Sequence, residues 1–261
     1  MRVLTENLNY NIFNDLLTNL KKVSTTAVIN DIPQIAKALN DFKPQLLILK
    51  EENINSVVKA YCDKNNVKII CFGSTYPENK DADITFQTHL DIPRANLDVL
   101  TFKEDIDKDD VSVFVNDEKQ RFATDFLSKN YNVKIYGNIK IDNPRYLGMP
   151  TELEKYEILN RSKVSIVFNL KDAFDSILLD TYPIVEGPEG FEFTTFNNII
   201  SLIEQIDDIL INNNLKAKVN YLKSKLISAN SLTFTIDTLQ QLGFKEQVFE
   251  LNNILEDLNK W

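Results

Sequence analysis

Short apolar segments alternate with amphipathic stretches along the first half of the chain. Phe13, Leu16, Leu17 and Leu20 fall on one face of a predicted helix, at spacings of three and four residues. The segments between such helices are short and apolar, as buried strands are. The predicted strands are 2–6, 26–29, 46–49, 67–72, 84–86 and 99–102. This alternation is typical of parallel βαβ units, so the pattern predicts an α/β fold.

The alternation starts again after residues 103–110, a charged stretch in which Ile106 is the only apolar residue. Thr151 and Glu154 have the spacing of a capping box and predict a helix start. The further strands predicted are 111–115, 133–136, 164–168 and 183–185, and the last predicted helices are one beginning at 199, then 216–228 and 245–259.

This restart predicts two domains with a boundary in the charged stretch. We expect an N-terminal domain at 1–103, a second domain at 111–243 and a C-terminal helix at 244–261 that packs back on the first domain. The alternative is that the charged stretch is a loop within one large sheet.

The composition favours a cytoplasmic protein. Apolar residues make up 43% of the chain, but no apolar run is long enough to cross a bilayer. Met1 and Arg2 lead straight into a predicted strand, without an apolar leader. The two cysteines, Cys62 and Cys71, do not make a disulfide framework, so we expect core residues in a reducing compartment. Abundant Asn, Ile, Lys and Asp with scarce Gly indicate an AT-rich genome, that of a bacterium or a phage.

The net charge of −9 disfavours a nucleic-acid partner, because attraction to phosphate is the main source of such binding. The alternative is a local basic cleft that binds nucleic acid despite the negative net charge.

Four segments of the second half carry a family resemblance through their order. They are Val133–Gly137, Tyr146–Gly148, Leu159–Asn169 and Phe191–Phe196. Together they resemble the donor-binding domain of bacterial and phage glycosyltransferases of the CgeB-related group, over residues 133–240.

The resemblance implies a GT-B-like architecture of two Rossmann-like domains that face a cleft. It implies a nucleotide-sugar donor, a UDP-sugar foremost, held by the second domain, an acceptor held by the first, and no obligatory metal. In open α/β sheets, ligands bind outside the carboxyl ends of the strands.

Cationic groups that stabilise charge on a leaving diphosphate are the first candidates for this chemistry. Asn116, Lys119 and Arg121 follow the first strand of the second domain, where the chain turns into a helix. Arg161 and Lys163 precede a strand and are the second pair of candidates. The alternative is that both are ordinary surface charges without a ligand.

The resemblance further implies an acidic residue that binds the donor ribose, and Asp175 is the nearest match. The arginine that precedes it in the family pattern is absent, and the alternative is that Asp175 caps its helix. Gly187 is predicted to lie in a turn. This turn either faces a phosphate or is a plain tight turn. No G-x-G-x-x-G or P-loop motif occurs.

An inverting transfer needs a general base near the acceptor hydroxyl. The only histidine, His89, and two glutamates at the ends of predicted strands, Glu6 and Glu51, are the candidates. A structural role is the alternative for the histidine.

The sequence therefore predicts a metal-independent glycosyltransferase. Two rivals stay open: a GT-B-shaped binding or structural protein without activity, for example a phage component, and a two-lobed sensor of a small ligand.

Overall fold

The computed structural model describes residues 1–29, 31–73, 80–88, 92–108, 110–187, 192–196, 198–211 and 214–260. The chain forms two compact units. Unit 1 consists of residues 1–94 and 231–260, and unit 2 consists of residues 95–230.

Unit 1 is built on a parallel five-stranded sheet. Its strands are β1 (Arg2–Glu6), β2 (Thr25–Ile29), β3 (Leu46–Lys50), β4 (Lys68–Gly73) and β5 (Ile84–Gln87). Its helices are α1 (Asn11–Val23), α2 (Ile35–Phe42) and α3 (Ser56–Asn65), with α9 (Ser231–Gln241) and α10 (Lys245–Leu258) from the C-terminal segment. The strand order is β2-β1-β3-β4-β5.

The core of unit 1 lies on both faces of this sheet. All four residues from Leu46 to Leu49 are fully buried, as expected for a central parallel strand covered on both faces. Leu39 from α2 and Val58 from α3 pack in the same cluster as Leu47 and Leu49.

Helix α9, which the sequence pattern does not predict, packs on α1. Asn19 of α1 is buried and donates hydrogen bonds from its amide nitrogen to the Ser231 and Thr235 hydroxyls, at 3.3 and 3.2 Å. The buried residues of α9 are thus polar as well as apolar: Ser231, Thr235 and Thr238 are buried beside Leu232, Ile236 and Leu239.

Unit 2 repeats the plan of unit 1. Its strands are β6 (Asp110–Val115), β7 (Val133–Gly137), β8 (Ser162–Val167), β9 (Tyr182–Glu186) and β10 (Thr194–Phe196), and its helices are α4 (Arg121–Asn130), α5 (Glu152–Arg161), α6 (Leu170–Leu178), α7 (Ile199–Ile211) and α8 (Leu215–Ser228). The sheet is parallel, with the order β10-β9-β8-β6-β7. The predicted fold class, α/β with two Rossmann-like units of the GT-B-like kind, is confirmed.

The strand predicted at 99–102 is wrong, because these residues belong to a 3-10 helix, Leu97–Phe102. Leu97, Val99 and Leu100 are buried there. A β-branched apolar run has the composition of a strand, but here it buries its side chains in a helical turn.

The charged stretch that follows is anchored by two lysines. The ammonium group of Lys108 donates to the carbonyl oxygens of Asn160 and Leu179, both at 2.7 Å, near the C-terminal ends of α5 and α6. Burial lowers the pKa of Lys108 to about 8. Lys103 forms an ion pair with Asp180 at 2.7 Å. The stretch is exposed over 104–107, as predicted, but its ends are tied to unit 2.

None of the helices in the described ranges combines the length and the apolar character needed to cross a membrane.

Candidate functional site

The carboxyl edge of the unit 2 sheet contains the point where the chain reverses direction across the sheet. The chain leaves β6 for β7 on one side and then returns to β8 on the other side. The connection from β6 to β7 and the connections on the β8 side of the sheet lie on opposite faces of the sheet. This arrangement leaves a crevice outside the carboxyl ends of β6 and β8. This edge is the candidate ligand site of unit 2.

Three of the residues predicted from the sequence lie at this edge. Asn116 is exposed and directly follows β6, and Arg121 is exposed at the start of α4. Gly187 directly follows β9, with nothing within 4 Å of a Cβ atom built on it. Arg121 contacts Glu118 at 3.6 Å, but an exposed ion pair contributes little and leaves the guanidinium accessible.

The turn after β6 is closed by one side chain. The Gln120 side-chain oxygen accepts the backbone N–H groups of Asn116 and Asp117 at 2.7 and 3.0 Å. These two donors are therefore engaged within the protein. The side chain of Lys119, which belongs to this turn, lies outside the described part of the structure.

A second cation at this edge, Lys140, was missed by the sequence analysis. Lys140 and Arg121 line a cavity of about 550 Å³, together with residues 141–144. Its position after β7 is the signal that could have found it, because the carboxyl ends of all strands in a parallel sheet meet at one edge.

Arg161 and Lys163 lie at the opposite edge. Strand β8 begins at Ser162, which pairs with Asp110 at the start of β6. Lys163 donates to the carbonyl oxygen of Leu210 at 3.2 Å. Arg161 is exposed and lines a cavity of about 270 Å³ with Tyr136. The structure does not bring these two cations together with Arg121.

Asp175 is engaged in a buried ion pair. Only 1% of this residue is exposed, and its carboxylate accepts the Lys155 ammonium at 2.8 Å. Lys155 also contacts Asp172 at 2.9 Å. Burial raises the pKa of Asp175, although Lys155 opposes that rise.

The alternative role considered for Asp175, a helix cap, is wrong. Helix α6 is capped by Asn169, whose side-chain oxygen accepts the backbone N–H of Asp172 at 2.8 Å. Asp175 lies six residues beyond this cap, within the helix.

The two predicted glutamates of unit 1 lie at the carboxyl edge of its sheet, but their surroundings differ. Glu6 is nearly buried and accepts hydrogen bonds from the Lys50 backbone N–H at 3.1 Å and the Asn53 amide at 2.8 Å. Glu51 is half-buried and lines a cavity of about 350 Å³. His89 lies outside the described residues.

Among the described residues, no three His, Cys, Asp or Glu side chains come together in a way that could hold a metal ion.

The chain is similar in fold to solved structures of glycosyltransferases and of a UDP-GlcNAc 2-epimerase. Over 92% of this chain and 99% of the other, it resembles the spinosyn forosaminyltransferase SpnP, with a TM-score of 0.57 and 7% identity. The glycosyltransferase VinC in complex with dTDP is similar over 94% of this chain and 100% of its own, with a TM-score of 0.53 and 8% identity. The UDP-GlcNAc 2-epimerase of Neisseria meningitidis bound to UDP-GlcNAc covers 84% of this chain and 94% of its own, with a TM-score of 0.51 and 12% identity.

At these identities the likeness establishes the fold alone. No family model matches the chain. No curated protein matches it in sequence either.

Proposed function

We propose that unit 2 binds the nucleoside diphosphate of a sugar nucleotide at its carboxyl edge and that the protein transfers the sugar to an acceptor. The observation that carries this proposal is the position of Asn116 and Arg121 beside the crevice where β6 and β8 end. The ligands named for two of the similar structures, dTDP and UDP-GlcNAc, support a nucleotide at this kind of fold.

The proposed chemistry needs positive charge at the leaving diphosphate. Arg121 and Lys140 border one cavity at this edge, so both cations are available to phosphate oxygens. Such an arrangement works without an obligatory metal. The order of segments from 133 to 240 favours a place for the protein in the CgeB-related group, with a UDP-sugar as donor. The presence of only two cysteines favours a cytoplasmic location.

A binding or structural protein without activity is the second candidate, for example a component of a phage particle. Two observations favour it. The backbone donors of Asn116 and Asp117 are taken by Gln120, and the carboxylate of Asp175 is taken by Lys155. These backbone N–H groups and this carboxylate can bind a nucleotide only if the side chains of Gln120 and Lys155 move away.

Calorimetric titration with UDP, dTDP and uridine tests the nucleotide site. We expect a diphosphate to bind more tightly than uridine, and Arg121→Gln to weaken UDP binding about tenfold, the loss of one charged hydrogen bond. Arg161→Gln is the matched control, because it makes the same change in charge on an exposed side chain at the opposite edge. An effect of Arg161→Gln and not of Arg121→Gln would refute the proposed location.

Sugar release from a panel of UDP- and dTDP-sugars then separates the two candidates. Turnover that falls in Arg121→Gln and persists in Arg161→Gln supports the enzyme. Tight binding of the nucleotide without release, in the presence of a range of hydroxyl acceptors, supports the inactive binding protein.

A further inference from the structure

A cavity lies at the amino edge of the unit 1 sheet, opposite the edge that carries Glu6 and Glu51. It is bordered by the residues that begin β1 and precede β3 and by the C-terminal ends of α2 and α3, and its volume is about 350 Å³. This volume is at the lower end of the range for small-molecule sites, about 300–1,000 Å³. Its whole lining belongs to the described stretches 1–29 and 31–73, and the residues of unit 1 that are not described, at 30, 74–79 and 89–91, each follow the carboxyl end of a strand.

The charged side chains that line this cavity are all cations. Arg2, Lys43 and Lys64 are exposed, and none of these three side chains has a hydrogen bond or an ion pair with a described residue. Asp41 and Asp63 belong to the same two helix ends but do not line the cavity, and Asp63 is engaged in an ion pair along α3. The other lining residues are neutral, namely Asn40, Pro44, Gln45, Tyr61 and Asn65.

Arg2 is held in place by Gln45. The Gln45 backbone N–H donates to the carbonyl oxygen of Arg2 at 2.9 Å, and the Gln45 side-chain oxygen accepts the backbone N–H of Arg2 at 3.0 Å. The two hydrogen bonds fix the backbone from which the guanidinium extends. A guanidinium presents a planar fork of donors that matches two oxygens of one phosphate.

Lys43 occupies a backbone position that suits another residue type. It follows the last residue of α2 in the left-handed conformation, with φ 50°, where glycine or asparagine is usual. Helix α3 ends in the same conformation with Asn66, at φ 54°. A lysine in this conformation costs about 1 kcal/mol, and its attraction to the helix C-terminus offsets part of that cost. The strained residue is thus a cation that borders the cavity.

Two side-chain amides offer acceptors for hydroxyl groups. The amide nitrogens of Asn40 and Asn65 donate to carbonyl oxygens of their own helices, at 2.9 and 2.8 Å. Their amide oxygens accept no hydrogen bond from a described residue. Each of these oxygens can therefore accept a hydrogen bond from a hydroxyl group of a ligand.

We propose that this cavity binds a small hydroxylated molecule through a phosphate monoester, with Arg2, Lys43 and Lys64 around the phosphate. One exposed ion pair contributes little, so the site depends on three cations that meet the same dianion. The site belongs to unit 1 alone and is independent of the nucleotide site proposed in unit 2.

Calorimetric titration of the full-length protein with glucose 6-phosphate tests the proposal, with glucose and inorganic phosphate as comparators. We expect glucose 6-phosphate to bind more tightly than either comparator. Arg2→Gln should weaken its binding about tenfold, the loss of one charged hydrogen bond. Lys43→Asn should weaken it by a similar factor at an equal or higher unfolding temperature, because asparagine tolerates the left-handed conformation better than lysine.

Lys37→Gln is the matched control for the loss of one positive charge. Lys37 is exposed on α2, six residues before Lys43, and does not line the cavity. This variant should keep the affinity of the wild type. Thermal unfolding of each variant checks that the fold is retained.

Four results would overturn the proposal. They are absent binding of glucose 6-phosphate, an affinity that neither Arg2→Gln nor Lys43→Asn lowers, an equal loss in Lys37→Gln, and inorganic phosphate that binds at least as tightly as the ester. The last of these would assign the cavity to a free ion. Arg121→Gln separates the two sites: a loss of glucose 6-phosphate binding in this variant alone would place the phosphate in unit 2 and also overturn the proposal.

Discussion

At the scale of single residues, what a side chain can do is set by partners that are distant in sequence. Asp175 fits a ribose-binding position in its local context, yet Lys155, twenty residues earlier, already binds its carboxylate. The pairing depends on how α5 and α6 pack side by side. No local pattern reveals it.

The edge of the sheet on which a residue lies is predictable, by contrast. Asn116 follows a predicted strand, whereas Arg161 and Lys163 precede one. In a parallel sheet these are opposite edges, so the strand assignments alone are enough to separate the two groups. The roles of all the candidate residues in ligand binding stay predictions.

Lys155→Met should destabilise the protein strongly. The substitution leaves the carboxylates of Asp172 and Asp175 without their shared cation, and an uncompensated buried charge costs about 3–5 kcal/mol. Urea unfolding at neutral pH measures the change. The double variant Lys155→Met with Asp175→Asn should recover part of the loss, because it removes the more buried of the two carboxylates. A change below about 1 kcal/mol for the single variant would contradict the expected cost.

At the scale of elements, predictions succeed where a local rule acts alone. The capping box of α5 is confirmed: Thr151 accepts the Glu154 N–H, and the Glu154 carboxylate accepts the Thr151 N–H. Predictions fail where packing decides. Residues 99–102 carry a strand-like composition but lie in a 3-10 helix. Helix α9 contains three threonines, a residue type that disfavours a helix in isolation.

Thr151→Ala tests the strength of this cap. The substitution removes the hydroxyl that accepts the N–H of Glu154, so we expect a loss of about 1 kcal/mol in the free energy of unfolding. Thr101→Ala is the matched control, because Thr101 is exposed and its hydroxyl donates only to the nearby carbonyl of Asp98. The control should stay within about 0.5 kcal/mol of the wild type. Equal effects of the two substitutions would show that the cap is not the cause.

At the scale of the whole molecule, the sequence predicts the kind of sheet and a C-terminal helix at 244–261 that packs back on the first domain, but it gives no sign of α9. Alternating strands and helices imply parallel sheets, and both sheets have the same order. Which helices complete a core is a matter of long-range contacts. Residues 231–260 belong to unit 1 although the segment directly before them belongs to unit 2.

Leu239→Ala tests this membership. Leu239 of α9 is fully buried, so truncation to alanine should cost about 2–5 kcal/mol. Because α9 packs on α1, the substitution should speed hydrogen exchange most in α1 and in the strands of unit 1. Leu178→Ala makes the same truncation at an equally buried site in α6, and its effect should be largest in unit 2. If Leu239→Ala instead speeds exchange mainly within residues 95–230 and leaves α1 protected, the C-terminal helices contribute their buried leucines to the other core.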